Sequence, residues 1–453
     1  MQNQGRTAEE KGSNISRREF MGGAAVAAAF TIVPRHILGG AAHTAPSEKL
    51  NIAGIGAGGR GASNLAAVSS ENIVALCDVD EKQAEGTLKR YPKAKRYRDF
   101  RRMLEQQKDI DAVIVSTPDH THAVATMMAI KMNKHVYCEK PLTHSIYEAR
   151  KVAQAAREHK VATQMGIQGH SGEGIRLLCE WIWDGAIGAV REVQTWTDRP
   201  AGWWPQGIAR LKDTPPVPST LSWDLWLGPA PYRPYHPAYV PFKWRGWWDF
   251  GTGALGDMGI HNCSPIFWAL KLGYPTSVEV VSQEGNNEET GPTKSIVRYE
   301  FPAREDMPPV TLMWYDGGNM PPRPGELEQG RRFGDNDGGS LFVGEKGKID
   351  APGWCAASPR IIPETKMKQY KQPPKTIPRS VEHHQEWVQA CKTGKPTTAN
   401  FDFAGLLTEV VLLGNIAIRT GEKLLWDGPN MVCTNVPEAN RYVHCRYREG
   451  WTL

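Results

Sequence analysis

Residues 50–61 read LNIAGIGAGGRG. The first seven form an apolar run of strand length, and the glycines that follow break it. Two registers of G-x-G-x-x-G overlap here, Gly54/Gly56/Gly59 and Gly56/Gly58/Gly61. The second is preferred, because its first glycine falls where the strand ends. Glycine makes up 45 of 453 residues, so the triplet alone is a weak signal. Its context is stronger: a strand precedes it and a helix over 60–69 follows. At such a junction, backbone N–H groups and the helix dipole hold a pyrophosphate, and missing Cβ atoms let it approach.

The same beat continues along the chain. NIVALCD (72–78), DAVIVSTP (111–118), KHVYCEKP (134–141) and VATQMG (161–166) read as strands. Helical segments at 80–90, 125–133 and 145–160 separate them. Strand–helix alternation builds a parallel sheet covered on both faces, since each crossover returns to the same sheet. The expected fold class is therefore α/β, with a Rossmann dinucleotide-binding domain over 46–168. Asp78 ends the second strand, 22 residues beyond Gly56. A carboxylate there accepts from adenosine ribose hydroxyls and repels a 2′-phosphate, which favours NAD over NADP.

Residues 169–453 have another texture. A helix over 172–184 and a strand over 190–197 precede a Pro- and Trp-rich stretch, 199–248, that no regular element explains. A helix over 256–271 leads into strands at 277–283, 294–302 and 309–315 joined without helices, which predicts a mostly antiparallel, open sheet in an α+β domain. Helices at 380–392 and 401–419 close the chain.

The first 45 residues are set aside as a leader. SRREF (Ser16–Phe20) precedes a thirteen-residue apolar run, Met21 to Val33, ending at Pro34. A spanning helix needs ~20 apolar residues. The run is shorter and rich in Ala and Gly, so no stable membrane insertion is expected after processing between Gly40 and Ala45. The stretch resembles the twin-arginine (Tat) consensus, which implies export to the periplasm in the folded state. The whole chain carries a formal charge of +5, with 40% hydrophobic and 23% charged residues. No basic stripe interleaved with aromatics accompanies it, which argues against nucleic acid as a partner. Eight cysteines show no C-x-x-C pair; Cys433 and Cys445 are the first pair to test for a disulfide.

Two further stretches, STPDHTHAVATMMAIKMNKHVYCEKPL (116–142) and DFGTGALGDMGIH (249–261), join the glycine loop in resembling the Gfo/Idh/MocA oxidoreductases, which act mainly on sugars and polyols. The likeness extends through SLFVGEKGKI to the EHHQEW and NFDFAGLLTEVVLLGN helices. It implies that Lys140 of EKP reaches nicotinamide and substrate hydroxyl. Pro141, often a cis peptide in the family, shapes the turn, while Thr117, Pro118 and His122 lie beside the nicotinamide ribose. Arg60 and Glu139 complete the candidate cofactor set with Gly56, Gly58, Gly61 and Asp78. Asp257 and His261 stand four apart at a helix start and share one face. Hydride removal from a carbinol carbon requires a base for the hydroxyl proton, and the family pattern gives this part to His261, with Asp257 orienting it or the sugar and Lys140 steadying the oxyanion.

Eleven of 16 tryptophans fall between Trp181 and Trp268. Planar rings beside polar groups suit sugar faces and hydroxyl rims. Trp203, Trp204 and Trp247 are the leading pocket candidates, with Gln168, His170, Arg199 and Arg245 as further sugar contacts. EHHQEW lacks a metal-ligand spacing, so no metal is expected, and GEKGKI reads as a hairpin turn. A periplasm holds no dependable free nucleotide pool, so export implies a cofactor carried inside the folded protein and regenerated on site. Three readings stay open: a sugar or glycoside dehydrogenase, an NAD-dependent glycosidase working through carbon-3 oxidation, and a non-catalytic sugar-binding protein. The glycosidase branch carries Tyr-x-x-His where this chain has Asp257-Met-Gly-Ile-His261, a departure that favours the dehydrogenase. In exported relatives the arm around 34–47 lies along a neighbouring subunit, so a homo-oligomer is expected.

Overall fold

The computed structural model describes residues 48–379 and 381–453. The twin-arginine stretch, the apolar run and the 34–47 arm lie outside the described residues. Strands and helices alternate as β1 (Asn51–Ile55), α1 (Arg60–Ala67), β2 (Asn72–Cys77), α2 (Glu81–Arg90), β3 (Lys95–Tyr97), α3 (Phe100–Gln106), β4 (Ala112–Val115), α4 (Asp119–Lys131), β5 (His135–Glu139), α5 (Ile146–His159) and β6 (Thr163–Gly166). The six strands are parallel in the order β3-β2-β1-β4-β5-β6. Winding runs outward from β1 on one side and from β4 on the other. Between them lies the switch point where such sheets open a ligand crevice at their carboxyl ends. β3 and α3 lie beyond the sequence reading, because KRY is a short polar edge strand with no apolar alternation.

Period-two alternation decides what each face buries. Ala53, Ile55, Val113, Val115 and Val136 point into the core shared with α3, α4 and α5. Ile52, Leu76, Ile114 and Tyr137 point the other way, against Leu65 of α1 and against Trp387 and Val388. Those last two come from a helix, His383–Thr393, near the far end of the chain. Local chemistry sets the helix starts. Asp80 accepts from the Lys82 N–H at 3.1 Å to cap α2, and Ser145 with Glu148 forms a capping box on α5.

The second sheet has nine strands: β7 (Val190–Trp196), β8 (Ser277–Glu284), β9 (Lys294–Phe301), β10 (Val310–Tyr315), β11 (Gly339–Gly344), β12 (Gly347–Pro352), β13 (Arg360–Ile362), β14 (Leu424–Asp427) and β15 (Val432–Cys433). Their order is β13-β12-β11-β7-β10-β9-β8-β14-β15, antiparallel except where β7 meets β10. GEKGKI makes the β11–β12 hairpin. The helix Phe401–Thr420 is long and apolar enough to cross a membrane, yet 83% of its apolar window is buried inside the protein, as a core helix.

The Trp-rich stretch has a small core of its own. Trp223, Trp226, Tyr239, Trp247 and Phe250 pack together around the buried guanidinium of Arg233. Asp249 and Glu289 neutralise that charge. His120 of α4 clips this layer to the first domain through the carbonyls of Trp226, at 3.0 Å, and Phe250, at 3.2 Å. All eight cysteines are free thiols. Cys433 and Cys445 are thus no disulfide: Cys445 lies 3.6 Å from His144 Nδ1, while Cys433 sits on β15.

Candidate active site

A cavity of about 690 Å³ runs from the glycine loop to the second domain. At its glycine-loop end the glycines of the two registers play different parts, and Gly59, with φ +51°, lines the cavity beside Gly56 and Gly58. Gly54 lies inside β1, and Gly56 ends it with φ +80°, where an added Cβ would fall 2.6 Å from the Ser116 carbonyl oxygen. A Cβ on Gly61 would lie 1.7 Å from the Gly56 carbonyl oxygen, so Gly61 lets α1 close on the strand and does not itself face the cavity. α1 begins without a side-chain cap, though the Gly61 N–H is already spent on the Gly58 carbonyl at 2.9 Å, so it is the positive pole of the helix dipole that favours a phosphate here. Asp78 accepts from the N–H groups of Ala57 at 2.8 Å, Gly58 at 2.9 Å and Asp80 at 2.9 Å. It therefore stiffens the glycine loop as well as lining the cavity. Burial pushes its carboxyl up, against the pull of those three N–H groups.

The middle of the cavity is built by β4 and β5. Thr117 and Pro118 line it, and the Thr117 hydroxyl is buried without a partner, a donor and acceptor ready for a bound group. Glu139 collects Arg60 Nε at 3.1 Å, Asn64 Nδ2 at 2.9 Å and Gln168 Nε2 at 3.1 Å on one oxygen. Burial would raise its carboxyl, but Arg60 and Asn64 outweigh that and hold it below the ordinary range. The uncapped helix, the glycine cradle and the orphaned hydroxyl fit a dinucleotide.

At the far end, Lys140 meets a turn from the second domain. The chain enters Ile260–Leu270 through a wide π turn, Leu255–Gly259, rather than a regular helix from Gly256. That turn and the first helical residues bring Asp257 and His261 to the same cavity. Lys140 Nζ donates to Asp257 Oδ1 at 2.5 Å and to the Asp257 carbonyl at 3.0 Å. Arg245 Nε donates to the same Oδ1 at 3.2 Å. Burial opposes ionisation of Asp257, yet Lys140 and Arg245 together hold its carboxyl far below the usual value. Burial, then repulsion from Lys140, pushes the His261 imidazole well below its ordinary value, so it is neutral near pH 7.

Of the other candidates, Arg60, Gln168, Arg199, Trp203, Trp204 and Arg245 line the cavity. Four expectations need correction. Trp247 is wholly buried in the aromatic layer, donating to the Ala238 carbonyl at 3.1 Å. His170 is buried against Trp268 and Phe403 and bonded to Ser264, so it faces no ligand. His122 and Pro141 lie behind the cavity wall: His122 spans the carbonyls of Pro141, at 2.7 Å, and Thr117, at 2.8 Å, and so ties the two loops together. Lys140–Pro141 is a cis peptide.

Trp244 and Trp226, from the same tryptophan cluster but not among its leading candidates, also line the cavity, as do Trp354 and Phe242, which escaped the sequence reading. Trp354 stands edge-on to His261, with ring centroids 4.7 Å apart, on a turn whose next residues, Cys355 and Ala356, both have positive φ. A non-glycine pair at positive φ was a signal no sequence pattern carries. EHHQEW lies away from this chemistry. His383 bonds Met165 and Ser171, and His384 bonds Glu382 and Asn64.

Two family descriptions match the chain. "Oxidoreductase family, NAD-binding Rossmann fold" covers residues 50–167, and "Oxidoreductase family, C-terminal alpha/beta domain" covers 194–303. Inositol 2-dehydrogenase of Salmonella typhimurium is 32% identical over 123 residues, 27% of this chain and 36% of that protein. The 1,5-anhydro-D-fructose reductase of Ensifer adhaerens is 25% identical over 185 residues, 40% of this chain and 44% of that protein. The chain thus spans under half the length of these curated relatives. The WlbA dehydrogenase from Bordetella pertussis, solved with NADH and UDP-GlcNAcA, superposes with a TM-score of 0.59 at 15% identity, over 84% of this chain and 99% of that one. Two descriptions from one family, together spanning half of the sequence on the two sheets just described, place the chain in the Gfo/Idh/MocA oxidoreductase family, with that family's NAD-binding Rossmann fold as its first domain.

Proposed function

We propose that the protein is a dehydrogenase that moves a hydride between a carbohydrate carbinol carbon and NAD kept in the site through many turnovers. The observation that carries this reading is the convergence of Lys140 from one domain with Asp257 and His261 from the other, on a cavity whose opposite end is the glycine loop. NAD, when bound, supplies the hydride acceptor. The protein supplies the rest. Lys140 has three N–H donors, of which two are spent on Asp257. The third is left for the substrate oxygen, where it stabilises the alkoxide as the carbinol proton leaves. Neutral His261 takes that proton. Exposed Trp203 and the flanking Trp204 and Trp244 offer apolar faces to the sugar ring.

The leader adds a location to this proposal. A protein exported folded through SRREF carries its nucleotide with it and works in the periplasm, as a homo-oligomer. The test is to purify the processed protein, identify the nucleotide that accompanies it, and follow absorbance at 340 nm while sugars, polyols and glycosides are added. Bound NAD that reduces on mixing supports the reading. A site that neither retains nor binds NAD overturns it. Aglycone release without net reduction selects the glycosidase instead. Light scattering that gives a monomer mass at micromolar concentration removes the oligomer.

A further inference from the structure

Resting on the dehydrogenase reading, we propose that residues 447–453 are a latch on the nucleotide site, and that Arg448 and Trp451 are positioning residues that set how long NAD stays bound. The argument begins with one wall of the cavity. Leu221, Leu225 and Trp226 of the Trp-rich stretch line it, together with Asp78, Val79 and Asp80 beyond β2 and Phe100 of α3. The end of β2 is where a Rossmann sheet takes the adenosine ribose, so this wall belongs to the adenosine half of the site. Two backbone bonds zip the chains together there: the Ser222 N–H donates to the Val79 carbonyl at 2.8 Å, and the Glu81 N–H to the Thr220 carbonyl at 3.1 Å. They make one antiparallel bridge, between Asp80 and Leu221. So short a pairing frays readily. Leu225 and Trp226 ride on the helix Trp223–Leu227, whose five residues are too few to hold it without tertiary contacts.

Residues 447–453 supply those contacts. Arg448 reaches over the helix: Nη2 donates to the Asp224 carbonyl at 2.9 Å, Nε to the Gly228 carbonyl at 3.1 Å and Nη1 to Asp224 Oδ1 at 2.5 Å. Its own N–H donates to the Pro229 carbonyl at 2.9 Å. A planar guanidinium suits this, since one rigid fork meets carbonyls at and beyond the end of the helix. The same segment is fixed on the first domain. The Trp451 ring centroid lies 6.0 Å from that of Phe100 and 4.3 Å from the Arg101 guanidinium, and the Tyr447 hydroxyl donates to Glu148 of α5 at 2.5 Å. The Trp451 N–H bonds the Arg448 carbonyl at 3.2 Å, so both anchors share one turn of chain. The segment thus binds the wall that carries Leu225 and Trp226 to the helix that carries Phe100, and all three line one cavity. A nucleotide held between them leaves when that wall moves, and Arg448 resists the movement. Its bonds to carbonyls carry most of the hold, because the Asp224 side chain is 76% exposed and its ion pair is screened by water.

The test loads the full chain with radiolabelled NAD, chases with excess unlabelled NAD, and follows loss of label. Arg448→Ala and Trp451→Ala are expected to release it roughly tenfold faster than wild type, the effect of one or two net hydrogen bonds or a ring contact. Arg448→Lys, a compact head in place of a fork, should recover only part of the hold. Asp224→Asn should stay within about twofold of wild type. Amide exchange read by mass spectrometry on the loaded protein gives a second measurement: in Arg448→Ala, peptides over 220–228 should lose protection while those of α5 keep theirs. Circular dichroism checks folding, and where an alanine variant does not fold, Arg448→Lys carries the same test. Label lost at the wild-type rate from the folded variants overturns the latch and leaves the dehydrogenase standing. Protection lost evenly along the chain marks a merely structural role and overturns it too. A wild type that never binds NAD overturns both.

Discussion

Lys140 and Asp257, 117 residues apart in the chain, meet at 2.5 Å and join the Rossmann domain to the sheet domain at the point where chemistry is expected. The contact is charged, hydrogen-bonded and shared with Arg245. Lys140→Met keeps the length of the side chain and removes the ammonium. We expect kcat for nicotinamide reduction to fall by roughly 10²–10³, as when one donor to a developing oxyanion is deleted. Bound nucleotide should be retained, as checked by stopped-flow spectroscopy and by nucleotide release on denaturation.

His261→Asn is expected to lower kcat by roughly 10²–10⁴, the usual span for loss of a positioned base. The pH profile carries a second signature. Because burial and Lys140 hold the imidazole well below its ordinary value, wild-type kcat/KM should show no step near 6.5 on acidification. The loss should come only at lower pH, where the base takes a proton before it can accept one from the substrate.

His122 makes the opposite case. Both of its nitrogens lie within hydrogen-bond distance of carbonyl oxygens, and the protonated ring can donate to both. Burial works against that charge, but Cys138, Asp119 and the Pro141 carbonyl outweigh it and raise the value to about 10. A histidine whose value is raised by folding contributes stability that is complete below about 6.5 and lost as pH climbs through about 10. The gap in unfolding free energy between wild type and His122→Asn should therefore narrow from pH 6.5 to 10 in urea titrations. The same variant should lose NAD more readily, since the Thr117 and Pro141 loops are no longer tied.

Two tryptophans separate pocket from packing. Trp203 is 45% exposed on the cavity rim and Trp247 is 0% exposed in the aromatic layer. Trp203→Ala should raise KM for the carbohydrate with little change in Tm. Trp247→Ala should cost about 3–5 kcal/mol of stability, as for other buried aromatic truncations, and show in thermal melts before it shows in kinetics.

Much of this was legible because the first domain announces itself through period. Its strands alternate on two buried faces, and Gly56, Asp78 and Lys140 all fall at strand ends, where a parallel sheet places ligands. Asp257 and His261 were legible as an i, i+4 pair, although the wide turn that presents them was not. Residues 199–248 resisted reading because aromatic density carries no period: Trp203 and Trp247 look alike until the layer around Arg233 is seen. Trp354 reaches His261 from beyond a hairpin, a contact made by tertiary structure alone. The parallel meeting of β7 and β10 was hidden for the same reason, since adjacent strands of a sheet need not be neighbours in sequence.

The helix His383–Thr393 covers one face of the first sheet, and its His384 holds Asn64, which in turn holds Glu139. The nucleotide cradle is written at residue 56 but its supporting wall is not translated until residue 387. A nascent chain paused at the domain boundary would own a glycine loop with an uncovered apolar flank, a target for chaperones rather than a receptor for NAD. Cofactor capture is then expected only once Trp387 and Val388 have docked on the sheet, which makes that late helix the step that licenses loading.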